Sequence, residues 1–323
     1  MTLAPERLNT PGAGPMAGDG TAEEADAMKR TKAAFGGRGD TIASRSIFAV
    51  STAGIVVMVF ILGFLALNGL PVLGEAPAGG ILFGSDWYPT EEPPALGMLP
   101  LIGGTFAATL LSSLIGLPVA LALALFTAEI APKRLRSFFK VLLELLGFLP
   151  SIVLGFLGMM ILAPSIQHIS NAASGLNLLT ASILLGFLVI PVVASLSEEA
   201  LSSVPSELRD ASYALGATRW ETLRHVVIPS AARGIVSASL LGVMRSLGET
   251  MIVLMAAGGA AILPRSLFDP IRPLTSTIAA EMGETPVESV HYHALFFAGL
   301  LLLVMTLAIN LLSLAVERRG AKA

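Results

Sequence analysis

Residues 205–229 read Pro-Ser-Glu-Leu-Arg-Asp-Ala-Ser-Tyr-Ala-Leu-Gly-Ala-Thr-Arg-Trp-Glu-Thr-Leu-Arg-His-Val-Val-Ile-Pro. This polar, basic, helix-forming stretch sits between two long apolar runs. Pro205 suits a helix start, and Glu207 in the first turn favours the helix dipole. Leu208, Ala211 and Leu215 recur at i, i+3 and i+7, so one narrow face is apolar. Gly216 fits a C-terminal cap. Thr218 and Glu221 have the Thr-x-x-Glu spacing of a capping box, which predicts a second helix there. Pro229 marks the junction with the next apolar run. Two small helices hinged at a glycine make a handle for a soluble partner. The alternative is an amphipathic helix lying on the lipid surface. The apolar face is short and broken by Gly216, which favours the handle.

Outward from this loop the chain is strongly apolar. Hydrophobic residues make up 54% of it and charged residues 13%. That balance excludes an ordinary soluble domain and fits a polytopic membrane protein. Six runs can cross a bilayer, at roughly 47–68, 101–127, 139–163, 178–197, 234–257 and 292–315. Pro118, Pro150 and Pro191 lie inside or near the ends of spans, where neighbouring helices or a cavity must satisfy the freed carbonyls. Residues 1–45 hold no sustained apolar period and read as a disordered tail. Residues 46–316 form the transmembrane domain, with the handle inside 201–232, and residues 317–323 form a short C-terminal tail. Without cysteine the chain has neither disulfides nor thiolate metal sites.

Basic residues set the orientation. The tail, the loop after the second span, the handle and the C-terminus hold 17 of the 20 lysines and arginines. The segment 70–99 holds none and carries Glu75, Asp86, Glu91 and Glu92. Both termini and the handle are therefore expected in the cytoplasm of a cell whose plasma membrane the chain spans.

Arg245 and Glu249 fall near the middle of the fifth expected span. An arginine there costs about 2.5–3.5 kcal/mol on insertion scales, so it needs a partner or a water-filled cavity. The i, i+4 spacing lets the two side chains pair on one helical face. They read either as a structural ion pair or as a gated anion contact in a translocation path. Glu144, early in the third expected span, reads as pairing with Lys140 or snorkelling, and Pro150-Ser151 as an opening toward an anion or a plain kink. His291 and His293 are two residues apart and share no helical face, which argues against a metal site. No Walker phosphate loop and no common hydrolase motif occurs, so any ATP chemistry must come from another chain. The basic residues trace a membrane edge rather than a nucleic-acid patch.

Asp210-Ala211-Ser212, Gly216 and Val226-Val227-Ile228-Pro229 resemble the Glu-Ala-Ala…Gly…Ile-x-Leu-Pro loop of ABC importer permeases. The departures are conservative and the spacing is intact. Leu241 to Met251 resembles the Arg-x-x-Gly-Glu-Thr-Met motif of phosphate-specific (Pst) permeases, PstC type. The segments Asp86-Trp87-Tyr88-Pro89, Glu144 to Val153 and Ser266 to Thr277 are similar to the same family. The resemblance covers roughly 46–316. It implies an all-α, six-span, type I importer permease with a MetI-like core. It implies coupling through Asp210, Ala211, Gly216, Thr218, Trp220 and Pro229, and a substrate path marked by Arg245, Glu249, Thr250, Ser151 and Glu144. It further implies a second, PstA-like permease, a PstB-like ATPase dimer that binds ATP and magnesium, and a PstS-like phosphate-binding protein outside. The competing readings are the PstA-type permease, a permease for molybdate or sulfate, and a secondary transporter. A secondary transporter should carry an internal repeat of spans, and none is visible.

Overall fold

A computed structural model describes residues 38–320. Of the stretch read as a tail, 1–45, residues 1–37 lie outside the described residues, as do the last three residues of the chain. Two compact units are distinguished, residues 1–61 and residues 62–323. The first span belongs to helix α1 (Arg38–Gly69), which begins inside the stretch read as a tail. Six helices among the described residues are long and apolar enough to cross a membrane.

After α1, a short cap holds a 3₁₀ turn (Leu70–Gly74), α2 (Ala78–Phe83) and a small antiparallel hairpin. In that hairpin β1 (Trp87–Tyr88) faces β2 (Ala95–Leu96), with Trp87 opposite Leu96. The helical chain then runs through α3 (Leu99–Leu125), α4 (Lys133–Gly147), α5 (Ser151–Leu157), α6 (Ala163–Ser170) and α7 (Leu178–Ser202). The handle comprises α8 (Ser206–Ala214) and α9 (Arg219–Thr222). Beyond it lie α10 (Ile228–Leu247), α11 (Met251–Ala256), α12 (Leu274–Glu281) and α13 (Val290–Gly320). The end of unit 62–323 that bears α8 and α9 is called the loop end, and the opposite one the hairpin end.

The core is the crossing of α3 and α7. Gly104, Ala108, Ser112, Gly116, Ala120 and Ala124 recur every four residues on α3, and all are buried. Small residues at that period make a flat stripe on which another backbone can lie closely. Helix α7 fills it with Ala181, Leu185, Val189 and Val193, each fully buried. The opposite face of α3 presents Phe106, Leu110 and Leu114, all more than half exposed, as a lipid- or partner-facing surface should.

Two expected spans are redrawn. The third was expected over 139–163. Instead α4 ends at Gly147 and the span is Ser151–Ser170. Pro150 cannot donate a backbone hydrogen bond and restricts the residue before it, so an unbroken apolar run becomes two helices. Helix α4 climbs along α7, from Arg136 against Glu198 to Gly147, where an added Cβ would stand 4.0 Å from the Pro191 side chain. The fifth was expected over 234–257. One helix runs from Arg219 to Leu247, and α11 follows after a break at Gly248–Thr250.

Among the described residues three π turns occur: Phe126–Ile130 ends the second span, and Gly158–Leu162 and Leu223–Val227 interrupt the third and fifth. Each of the latter two stands two residues before a helical proline, Pro164 and Pro229. A proline in an α-helix leaves the carbonyl four residues back without a donor and presses its ring on it. One residue inserted just before the proline moves that carbonyl aside. At Pro229 the helix therefore continues where the sequence suggested a junction.

Candidate transport path and coupling loop

The handle forms as its residues dictate. Gly216 takes φ of +84°, a conformation that side-chain-bearing residues rarely adopt. The Gly216 N–H donates to Tyr213 O at 2.9 Å and the Ala217 N–H to Ser212 O at 3.2 Å, a complete Schellman motif. The capping box is also complete. Glu221 N–H donates to Thr218 Oγ1 at 3.3 Å, and Thr218 N–H donates to Glu221 Oε2 at 2.8 Å. The Ser212 and Thr222 hydroxyls lie 2.9 Å apart and join α8 to the helix that follows.

Asp210, Ala211, Gly216, Thr218, Trp220 and Pro229 are all exposed, as a docking surface requires. Leu215 is 90% and Trp220 64% exposed, large apolar groups held out at the tip of the loop. Beneath them Leu201, Val204, Leu223, Val227 and Ala231 form a buried cluster with Ala124 of α3. Arg209 completes the anchor. Its Nη1 donates to Glu129 Oε1 at 2.6 Å and its Nη2 to Leu201 O at 2.9 Å. Arg209 and Glu129 form an anchoring pair that the sequence reading missed. They lie 80 positions apart, and no local spacing pairs them.

Of the residues expected to mark a path, Arg245, Glu249 and Thr250 lie at the break in the fifth span. Ser246 Oγ lies 2.6 Å from Ser112 Oγ on α3, and both are buried. Ser112 stands thirteen residues past Leu99 and eighteen before Ile130, about 20 and 27 Å along a helix rising 1.5 Å per residue. Arg245, expected near the middle of the fifth span, stands instead in the last turn of α10, and with its neighbour Ser246 it lies level with the middle of the second span. Arg245 is exposed, while Glu249 and Thr250 are half-buried. The expected i, i+4 ion pair is absent, with no Arg245–Glu249 contact within 4.0 Å among the salt bridges of the described residues. The helix ends at Leu247, so the two residues do not share a helical face. The Glu249 carboxylate instead accepts the Met251 N–H at 3.1 Å, at the head of α11.

Of the two readings of Glu144, the pairing with Lys140 does not form. Glu144 is exposed, and Lys140 turns to Glu198 at 3.9 Å, a carboxylate that Arg136 also holds at 3.3 Å. Ser151 is half-buried and opens α5 after Pro150. This second break lies beside the first. A Cβ added at Gly155, one turn above Ser151, would stand 3.2 Å from Met251 O and 3.3 Å from Ile252 Cα. Helices α5 and α11 therefore touch directly, each just past its own break. Non-helical backbone at membrane depth survives only where protein or water satisfies it. Among the described residues no group of three or more His, Cys, Asp or Glu gathers as a metal site would require.

The model of the family described as "Binding-protein-dependent transport system inner membrane component" matches residues 116–322. The chain is 38% identical to the probable ABC transporter permease protein YqgH of Bacillus subtilis, over 85% of this chain and 88% of that one. It is 32% identical to the phosphate transport system permease protein PstC of Haemophilus influenzae, over 83% and 91%. Among solved structures it is similar in fold to a chain of a bacterial alginate ABC transporter, with a TM-score of 0.60 at 15% identity. That match covers 88% of this chain and 98% of that one. It is also similar to a chain of the inward-facing MetNI methionine ABC transporter, with a TM-score of 0.50 at 22% identity, covering 69% and 94%. Six spans, a capped loop and two adjacent helix breaks thus coincide with these matches, and the chain belongs to the binding-protein-dependent transport system inner membrane components, among the PstC-type permeases.

Proposed function

We propose that this chain is one of two permease subunits of an ATP-driven importer of inorganic phosphate in a bacterial plasma membrane. Both termini and the loop end face the cytoplasm, where the excess of lysine and arginine in the connecting segments puts them. The PstA-like partner permease supplies the other half of the path. An ATPase dimer binds ATP and magnesium and receives α8 with Gly216, Thr218 and Trp220 on its surface. A phosphate-binding protein delivers solute at the hairpin end. The relatives named as phosphate transport system permeases support the choice of phosphate over molybdate or sulfate.

Exposed Arg245 at mid-depth carries the reading. Facing lipid, it would cost about 2.5–3.5 kcal/mol. A water-filled path shared with the partner permease removes that cost. The guanidinium there is a planar fork that fits two phosphate oxygens at once. Thr250 and Ser151 offer hydroxyls at the two breaks, and Glu249 and Glu144 add negative charge that keeps the anion from resting too long. Coupling follows from continuity. The helix from Arg219 to Leu247 is 29 residues long and runs from the docking surface to the arginine. A push on the loop reaches the path with no flexible link between.

Uptake of labelled phosphate into proteoliposomes holding the full complex tests the reading. Arg245→Ala should abolish uptake, and Arg245→Lys should retain a minor part, since an ammonium lacks the fork. Excess molybdate or sulfate should not compete. Normal uptake by an assembled Arg245→Ala complex would refute the path assignment.

A further inference from the structure

Helix α12 joins two places that the proposed path leaves unconnected. At its first turn, Thr275 is buried and its Oγ1 donates to Glu249 O at 2.9 Å. That carbonyl lies in the Gly248–Thr250 break, where no helix supplies it with a donor. At its last residue, Glu281 gathers three segments at the hairpin end. Its Oε1 accepts from Arg272 Nη1 at 2.7 Å. Its Oε2 accepts from His291 Nε2 at 2.8 Å, and that nitrogen carries a proton because an ionised carboxylate can only accept. Trp87 Nε1 donates to the same carboxylate at 3.2 Å. The hairpin, the segment before α12 and the start of α13 are thus held to one side chain.

Between these ends α12 is a short rigid rod of eight residues, about 12 Å long. Its Thr275, Ser276 and Thr277 are buried. Its first amide, Leu274 N–H, donates to Thr105 Oγ1 of α3 at 3.0 Å. The rod cannot slide without breaking these bonds. A displacement of the Glu281 cluster therefore moves the Glu249 carbonyl.

We infer that α12 is a strut, and that Glu281 and Thr275 are positioning residues which set the Glu249 backbone from the face where solute arrives. Neither residue touches the transported ion. The inference rests on the path reading of Glu249. It gives the hairpin end a mechanical route to the break, separate from the route that the loop end has through α10.

The test uses the full complex in nanodiscs. Amide hydrogen exchange is followed in a peptide covering 246–252 for Glu281→Gln, Thr275→Val and Thr275→Ser. Glu281→Gln and Thr275→Val should each raise exchange there about threefold or more, and Thr275→Ser should keep it at the wild-type level. In proteoliposomes holding the same complex, maximal phosphate uptake should fall about tenfold in the first two with the half-saturating concentration unchanged, and the serine variant should restore it. The double variant should be no worse than the poorer single one, because both cut one strut. Exchange that changes only within 270–293 in Glu281→Gln would overturn the inference, as would unaltered exchange and uptake in Thr275→Val. If Glu281→Gln does not assemble, Arg272→Lys must raise exchange at 246–252 by the same route. The exchange arm needs no solute. A wild-type complex that moves no phosphate would refute the substrate reading and leave the strut to be judged by exchange.

Discussion

The Arg209 guanidinium sits 2.6 Å from the Glu129 carboxylate, binding the loop helix to the turn that ends α3. Both side chains are about four-fifths shielded, with 21% and 18% of their surface exposed. The bond therefore sits in a medium less screened than water, and losing one partner strands the other charge. Arg209 also satisfies Leu201 O at the end of α7. One side chain thus fastens α8 to two spans.

Arg209→Ala should lower the stability of the assembled complex by about 1.5–3 kcal/mol, the range for a hydrogen bond to a charged group. It should also weaken coupling, so that ATP turnover persists while uptake falls. The ratio of phosphate moved to ATP hydrolysed is the measurement. Glu129→Gln should do less harm, because a neutral acceptor still meets the guanidinium. An unchanged ratio in Arg209→Ala would remove the anchor role.

Gly216→Val should uncouple more sharply. The residue stands at φ of +84°, and a β-branched side chain there costs on the order of 1–3 kcal/mol. Space is no obstacle, since nothing lies within 4 Å of an added Cβ. Gly216→Asn should therefore be the mildest replacement. If valine and asparagine variants couple equally well, backbone conformation is not what the loop needs from Gly216.

The Ser112–Ser246 bond predicts a non-additive pair. Ser112→Ala leaves the Ser246 hydroxyl buried beside a methyl group. Hydrogen bonds between membrane helices are worth about 0.6 kcal/mol on average and about 1.7 at most. The single variant should lose stability in that range, and Ser112→Ala with Ser246→Ala should lose no more. Thermal unfolding of the detergent-solubilised complex, followed by size-exclusion chromatography, measures both. Strict additivity would mean that the two hydroxyls do not depend on each other.

Ala120→Leu should be the most damaging change on α3. Ala120 is fully buried on the small-residue stripe, with Val189 and Val193 of α7 in the same cluster. Three extra carbons there force the two spans apart, and overpacking costs about 1–3 kcal/mol or more. Leu110→Ala, on the opposite face, should leave assembly of the chain's own core intact. Protease resistance in membranes distinguishes the two.

Much of this molecule was legible before its coordinates. The capping box at Thr218 and the glycine cap at Gly216 formed as their spacing required, because both motifs are local and each satisfies its own backbone groups. The apolar runs located the spans, since length and hydropathy suffice for that. Hydropathy failed at Pro150 and Gly248. Both breaks lie inside apolar sequence, and a window average cannot see where one helix stops and another starts. The Arg245–Glu249 pairing failed for the same reason, because it presumed a continuous turn. Glu129 with Arg209, and Glu281 with Trp87, join segments 80 and 194 positions apart, and Arg272 and His291 reach Glu281 across a turn at no helical spacing, so none leaves a local signal. The four-residue stripe from Gly104 to Ala124 was readable throughout, and the apolar count alone hid it.

The π turn at Leu223–Val227 also fixes an angular phase. An α-helix advances about 100° per residue, so one inserted residue re-indexes everything beyond it. The azimuth of Trp220 on the proposed docking side, relative to Arg245 in the proposed path, is set by that insertion as by a keyway between two shafts. Deleting a single residue within the turn would shorten the helix by only about 1.5 Å. It would nonetheless rotate the docking face by nearly a third of a revolution against the arginine, leaving every span present and the transmission out of time.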